Sequence, residues 1–290
     1  MGKQQTGLGA MMAALWLWGS PGVASPLDPA LEAVIQELRD DPDLAGLALA
    51  PPPPPRPDWR VMADAQYLGL TNPRFENIRT DSDSLALGSI ALMGSPAITP
   101  DTQLLITLGA TLARFGRQTE SDFNRVNGSI GINWRFDPTS FVRLDVQAQN
   151  VHSVALGSKF FSDIAVQFRI GQTQNLPDNL TFTYFYQARA NFADPNSLNR
   201  VGHSLNLALG IPLSDQLNAN LSYRFLISNY TIADRRDIEH QLSADLRYQL
   251  TPNLTLRGFT TYVNNSSSDN QFTFDSFAYG LGFNATIDFN

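Results

Sequence analysis

Apolar and polar residues alternate along most of this chain, most clearly over Val126–Gln149. Every second residue of Val126–Phe136 is apolar or glycine, and the alternation resumes over Val142–Gln149. The two stretches are separated by Asp137-Pro138-Thr139, a sequence typical of a tight turn. A period of two on both sides of a turn predicts a β-hairpin with one apolar face.

The same pattern recurs to the end of the chain and predicts about twelve strands. They are Arg60–Leu70, Leu85–Met93, Leu104–Phe115, Val126–Phe136, Val142–Gln149, Phe161–Gly171, Thr181–Phe192, Gly202–Ile211, Leu217–Ser228, Glu239–Leu250, Leu254–Val263 and Phe274–Phe289. Most are close to the ~9–11 residues that a tilted strand needs to cross a bilayer. The pattern therefore predicts an all-β protein, an antiparallel up-and-down transmembrane β-barrel. A soluble sandwich with its apolar faces turned inwards is the alternative.

The connections between predicted strands fall into two classes. Short proline turns follow the even strands, at Ser95-Pro96, Asp137–Thr139, Leu176–Asp178, Pro212–Asp215 and Thr251–Asn253. Mostly polar, longer loops follow the odd strands, at Asn72–Ser84, Gly116–Asn124, Asn150–Lys159, Ala193–Arg200, Asn229–Ile238 and Asn264–Asn270. Outer-membrane barrels have short periplasmic turns and longer extracellular loops. An even strand count then places both termini in the periplasm.

Changes in composition along the chain predict three segments. Residues 1–24 resemble a signal peptide, because Lys3 precedes an uncharged apolar run that ends in small residues. Residues 25–58 contain a short helix over 28–40 and then the sequence APPPPPRP, which favours a stiff polyproline linker. Residues 59–290 form the barrel. The N-terminal segment is interpreted as periplasmic.

Composition narrows the choice of function. The mean hydropathy of −0.16 fits a soluble protein, but it also fits a barrel in which half of each strand faces a polar lumen. There is no cysteine, which excludes disulfides and thiolate chemistry. The net charge of −7 argues against a nucleic-acid partner.

Aromatic residues cluster near the predicted strand ends, as in the interfacial girdles of membrane barrels. The residues assigned to these girdles are Trp59, Trp134, Phe136, Tyr223, Tyr248, Tyr262 and Phe289. They imply contact with outer-membrane lipid.

The last strand carries a further signal. Phe283, Ile287 and Phe289 alternate up to the end of the chain, which closes with Asn290. This segment resembles the assembly signal of Gram-negative outer-membrane β-barrels, and residues 50–290 are loosely similar to porin-like barrels of cyanobacteria. The resemblance implies an outer-membrane location, a porin-like fold and recognition by the barrel-assembly machinery. It implies no particular solute.

The inward positions of the predicted register carry many arginines. The residues predicted to line the pore are Arg135, Arg143, Arg169, Arg189, Arg224, Arg247, Arg257, Asp145 and Asp245. Strand direction gathers five of the arginines towards the periplasmic mouth. Guanidinium groups bind carboxylates or phosphates in a bidentate fork, so a basic constriction favours small anionic or polar solutes. Alternatively, pairs such as Arg143 with Asp145 form a salt-bridge lattice that closes the barrel.

Catalysis and metal binding find little support in the sequence. The three histidines are His152, His203 and His240, and in two cases the neighbouring residue is a serine. Adjacent residues of a strand point to opposite faces, so no strand presents histidine and serine together for nucleophilic catalysis. We therefore expect no enzyme, metal site or cofactor. Two functions stay open: a narrow channel, or a non-conducting structural barrel that anchors the N-terminal periplasmic segment.

Overall fold

The structure, a computed structural model, describes residues 59–72 and 82–289. The predicted signal peptide, helix and linker therefore lie outside the described residues, as does Asn290. Within them, twelve long antiparallel strands close into a barrel, and a thirteenth, three-residue strand is added at one edge. The predicted all-β barrel is confirmed.

The strands follow the predicted order. Their bounds are β1 Trp59–Leu70, β2 Asp83–Gly94, β3 Ala97–Thr99, β4 Thr102–Phe115, β5 Phe123–Arg135, β6 Ser140–Ser153, β7 Lys159–Asn175, β8 Thr181–Asp194, β9 Arg200–Pro212, β10 Leu217–Tyr230, β11 Arg236–Thr251, β12 Leu254–Ser267 and β13 Phe274–Phe289. The short β3 directly follows the predicted Ser95-Pro96 turn and pairs with the start of β4. The only helices of the described residues are four single 3₁₀ turns. None of these is long and apolar enough to span a membrane.

The barrel closes between its first and last strands. β1 pairs with β13 over its whole length, from Trp59 opposite Phe289 to Leu70 opposite Ala278. On its other side β1 pairs equally completely with β2. Closure leaves no long strand with an unpaired edge, which is the condition for a sheet to exist inside hydrocarbon.

The two ends of the barrel have different connections, and we call them the loop end and the turn end. The six connections at the loop end contain 12, 7, 5, 5, 5 and 6 residues, and four of those at the turn end contain 4, 5, 4 and 2. The contrast is smaller than the sequence predicts, because strands of 12 to 17 residues extend into the predicted loops. Trp59 and Phe289 both lie at the turn end.

One turn shows how the local sequence fixes the geometry. In the connection between β5 and β6, the Asp137 carboxylate accepts hydrogen bonds from the backbone N–H groups of Ser140 at 2.8 Å and Thr139 at 2.7 Å. Hydrogen bonds from Ser140 and then Thr139 lower the pKa of Asp137 from 3.8 to about 2. The stabilisation is therefore fully present above pH 3.8 and is lost as the pH falls through about 2.

The outer surface of the barrel is apolar. Outward positions of the long strands carry exposed side chains such as Ile130, Leu144 and Leu281, while the neighbouring residues along each strand point inwards. An exposed apolar surface of this extent does not occur on ordinary soluble monomers. The strand period of two is what separates it from the interior.

An apolar core fills part of the interior at the loop end. Its buried members are Leu68, Leu70, Leu85, Leu87, Ala113, Phe115, Phe123, Val151, Phe274 and Ala278. They come from the loop-end halves of β1, β2, β4, β5, β6 and β13. Phe259 and Val263 of β12 pack against them. At this level part of the interior is packed with apolar side chains, as in the core of a soluble protein.

The register between β1 and β13 can be tested with a disulfide, because the natural chain has no cysteine. Ala63 and Ala285 are direct cross-strand partners, so their Cβ atoms are close enough for a disulfide. We expect the double variant Ala63→Cys/Ala285→Cys to form an intramolecular disulfide under oxidation, seen as altered gel migration of the denatured protein. In the control Ala63→Cys/Asn284→Cys the second side chain points inwards. Cross-linking of that control and not of the first pair would contradict the register.

Candidate functional site: the barrel interior

A cavity of about 500 Å³ lies inside the barrel, within the ~300–1,000 Å³ that small-molecule sites occupy. Its charged lining consists of five arginines and three aspartates, namely Arg125, Arg143, Arg224, Arg247, Arg257, Asp64, Asp163 and Asp245. Five arginines against three aspartates leave a formal excess of two positive charges. Inward-facing charges on alternating strand positions thus give a cationic cavity inside an acidic protein.

Strand register brings four arginines together as two direct cross-strand pairs. Arg143 of β6 lies opposite Arg169 of β7, and Arg247 of β11 lies opposite Arg257 of β12. Like charges in direct opposition destabilise a sheet unless a counter-charge is near. Each pair has one aspartate two residues away on the same strand, Asp145 or Asp245. Both pairs lie nearer the turn end than the loop end, five strand positions apart around the ring of twelve.

The two arginine pairs differ in accessibility. The Arg143 side chain is 8% exposed and its Nε lies 2.8 Å from the Oδ1 of Asp145, which is 1% exposed. The Arg247 and Arg257 side chains are 30% and 35% exposed, and both Nε atoms approach the same Asp245 Oδ1, at 2.5 Å and 3.7 Å. The first pair is therefore part of the wall. The second pair remains open to a molecule in the cavity, where Asp64 of β1 also interacts electrostatically with Arg257.

Around Arg143 the wall is a polar lattice. Asp145 also accepts a hydrogen bond from Gln147 Nε2 at 3.1 Å. Arg189 of β8 donates from Nη1 to Gln147 Oε1 at 3.0 Å and to Gln167 Oε1 at 2.9 Å. Three neighbouring strands, β6, β7 and β8, are thus joined through their inward side chains. Charge-assisted hydrogen bonds of this kind hold the wall rigidly where water is excluded.

Apolar side chains line another part of the cavity. Met62, Leu68, Leu87 and Phe259, on β1, β2 and β12, form what we call the apolar wall, and the polar Asp64 and Gln66 lie among them on β1. The Phe259 ring lies against β13 at Gly280, where a Cβ atom would come within 2.8 Å of the ring. Glycine is needed there to let the ring lie close to the wall. The cavity therefore combines charged and polar side chains with an apolar wall that reaches the Arg247–Arg257 pair at Phe259.

An arginine also occupies the interior at the loop end. Arg235, from the connection between β10 and β11, lies between two aromatic rings, with its Cζ 3.7 Å from the Tyr230 centroid and 3.8 Å from the Phe272 centroid. Its Nη2 is 3.3 Å from Asp237 Oδ2, and its side chain is 3% exposed. Cation–π contacts of a desolvated arginine are worth about 2 kcal/mol or more. This stack joins two loops across the interior, beside the apolar core.

The structure places the nine predicted pore-lining residues on inward strand positions. Five of them line the cavity: Arg143, Arg224, Arg247, Arg257 and Asp245. Arg169, Arg189 and Asp145 are buried in the wall. Arg135 is the last residue of β5, at the turn end and outside the cavity lining. Arg224 is paired with Glu239 at 2.7 Å.

The aromatic residues lie mainly on the outer surface. Exposed rings of the predicted girdles are Trp134, Phe136, Tyr248, Tyr262 and Phe289. Trp134 and Phe136 are in ring contact at the turn end, with centroids 5.6 Å apart. Trp59 is half-buried at the first position of β1. Tyr223 is also half-buried and lies in the middle of β10 rather than near its end.

The three histidines lie on the outer face of strands. His203 Nδ1 is 2.6 Å from Tyr186 Oη, and His240 Nδ1 is 2.7 Å from Tyr223 Oη. His152 is exposed near the end of β6. Within residues 59–72 and 82–289, no group of three or more histidine, aspartate or glutamate side chains could hold a metal ion.

Sequence reasoning missed the apolar interior and several polar residues of the cavity. Arg125, which lines the cavity from β5 beside Thr111, and Glu239 on β11, the partner of the cavity-lining Arg224, were not singled out. The signal for the core was present in β2, where Leu85 and Leu87 alternate with alanine and glycine. A strand without a polar face is typical of one buried on both sides.

Comparison with known proteins supports the fold and no more. No family model matches the chain, and no curated protein matches its sequence. An outer-membrane channel from Pseudomonas putida F1 is similar in structure, with a TM-score of 0.60 at 9% identity over 82% of this chain and 100% of that one. The translocator domain of the autotransporter NalP from Neisseria meningitidis matches at 14% identity and a TM-score of 0.47, covering 90% of this chain and 99% of its own. The KdgM porin in complex with disordered oligogalacturonate matches at 11% identity and a TM-score of 0.44, covering 79% of this chain and 99% of its own. The chain has the fold of outer-membrane β-barrels.

The polar lattice predicts unequal effects of two similar substitutions. Asp145→Asn leaves Arg143 buried without its carboxylate, so the free energy of unfolding should fall by about 3–5 kcal/mol. Asp288→Asn removes a carboxylate that is 49% exposed and 3.4 Å from Arg60, so it should lower that free energy by only about 0–1 kcal/mol. Urea unfolding from lipid vesicles measures both values. Equal losses would mean that Asp145 does not support the wall.

Proposed function

We propose that this protein is a porin-like channel of the outer membrane, narrow and selective for small polar or anionic solutes. The observation that carries the proposal is the accessible Arg247–Arg257 pair, which shares a single aspartate in an interior cavity. Guanidinium groups attract anions and hold them by directional hydrogen bonds. The role we propose is non-enzymatic.

The outer surface supports a location in the outer membrane. Exposed apolar side chains cover the strands, and exposed aromatic rings such as Trp134 and Phe136 lie at the turn end. Rings at this level suit the headgroup region of a bilayer, and a closed antiparallel barrel satisfies its backbone hydrogen bonds without water. Outer-membrane lipid and, through β13, the barrel-assembly machinery are the partners we propose.

For orientation, we propose that the turn end and both chain termini face the periplasm. A cysteine introduced at exposed Ala155, in a loop-end connection, should react in intact cells with a maleimide attached to a polymer too large for porins. A cysteine at exposed Asn253, in a turn-end connection, should react only after the outer membrane is opened. Gel shifts of the labelled protein measure both reactions. Labelling of Asn253→Cys in intact cells would contradict the orientation, and failure of both to react in opened cells would contradict the location.

Anion preference is the direct test of the channel. In planar bilayers the unmodified protein should conduct with a reversal potential that favours anions. The double variant Arg247→Gln/Arg257→Gln should move the preference towards cations, since it leaves Asp245 without its arginines. The shift should be largest at low salt, because the screening length of ~10 Å at 0.1 M shortens as salt is added. The exposed loop residue Arg117 provides the control variant Arg117→Gln, which should keep the original preference.

A non-conducting structural barrel is the second candidate, and the apolar core favours it. The core and the Arg235 stack occupy part of the interior at the loop end with buried side chains. Hydrophobic constrictions of this kind close channels by dewetting. A channel with this interior should therefore have low conductance. No conductance at all from correctly folded protein would reject the channel and favour a barrel that anchors its N-terminal segment in the membrane.

A further inference from the structure

The chemistry of the cavity limits which anion it suits. The two arginines of the accessible pair share Asp245, and Asp64 of β1 also interacts electrostatically with Arg257. With two carboxylates already beside the two guanidinium groups, a singly charged anion suits the site better than a dianion. A planar carboxylate can accept two parallel hydrogen bonds from a guanidinium group, which a spherical ion cannot.

The surroundings of the pair are apolar on one side. The Cζ of Arg257 lies 5.0 Å from the centroid of the Phe259 ring. The ring is held close to β13 by the absence of a side chain at Gly280. Leu87 belongs to the same cross-strand row as Arg257, through Gly282 and Gln66. A carboxylate bound at Arg257 would therefore have its remaining atoms against Phe259 and the apolar wall.

A polyhydroxylated anion is a poor match for this arrangement. Hydroxyl groups placed against Phe259 and Leu87 would lose water without gaining hydrogen bonds from those two side chains, which is unfavourable. An alkyl or aromatic body instead gains from leaving water, by about 25 cal/mol per Å² of buried apolar surface. The route towards the loop end also passes the apolar core, which tolerates an apolar body better than a hydrated ion.

We propose that the cavity binds amphipathic monocarboxylates, with the carboxylate at the Arg247–Arg257 pair and the apolar body along Phe259. The inference rests on the proposed channel function and names the class of solute for it. Arg247 and Arg257 select the head of the solute, and Phe259 with the apolar wall selects its body.

Two anions of equal charge and equal carbon number distinguish the contribution of the carboxylate head from that of the rest of the molecule. Hexanoate carries an alkyl chain, and gluconate carries hydroxyl groups on its carbons. Isothermal titration of each into the full-length protein in nanodiscs, with empty nanodiscs subtracted, should give at least tenfold tighter binding for hexanoate. Equal affinities, or no binding of hexanoate, would overturn the inference.

Variants test each half of the site. The double variant Arg247→Gln/Arg257→Gln should weaken the binding of both anions, and should therefore reduce the absolute affinity for hexanoate at least tenfold. Phe259→Gln should reduce the hexanoate-to-gluconate ratio at least fivefold, and Phe259→Leu should retain most of it. Met62→Gln, on the same apolar wall, repeats the test if Phe259→Gln fails to fold. An unchanged ratio in the folded glutamine variants would overturn the assignment of the apolar wall.

Binding and conductance measurements test the solute class and the channel function separately. Hexanoate binding without conductance would retain the carboxylate site and reject the channel. Anion-selective conductance without a preference for hexanoate would retain the channel and reject the solute class.

Discussion

Closure of the sheet between β1 and β13 is the constraint on which the rest of this structure depends. Once the two strands pair from Trp59–Phe289 to Leu70–Ala278, every long strand has two neighbours and one curved sheet separates an inside from an outside. The period of two then assigns each residue to one side. The outer side is nearly uniform and apolar, so the chemical variety of the protein lies inside.

The interior combines two modes of packing that barrels usually keep apart. On β6–β8, buried ions such as Arg143 and Asp145 are held by amide side chains. Around β1, β2 and β13, leucine and phenylalanine side chains pack as in a soluble protein. Buried ion pairs contribute little net stability, although removing one partner is expensive. The lattice therefore defines the wall more than it stabilises it, and the apolar core is the better source of stabilisation.

Strand identity was predictable from sequence because alternation survives along each strand. All twelve predicted strands are present, and outward residues such as Leu144 and Ile287 lie where their period places them. Strand ends were less predictable, because polar residues continue the pairing beyond the apolar band, as at Asn150 to Ser153. The arginine pairs could not be predicted from the sequence. Arg247 lies directly opposite Arg257 because of the register between two strands, which alternation within one strand does not reveal. The internal core was missed because inward leucines were not expected in a lumen assumed to be polar.

The apolar core also bears on how the chain is assembled. Leu68 and Leu70 belong to the first strand of the barrel, and Phe274 and Ala278 belong to the last. Leu68 and Leu70 can pack early against Leu85 and Leu87 of the neighbouring β2, but Phe274 and Ala278 join the core only when nearly the entire chain has been made. Bringing such distant segments together is slow, and apolar surface left exposed meanwhile favours aggregation. The joining of the last strand to the first completes the core at the same step. Completion of the core is thus coupled to closure of the barrel.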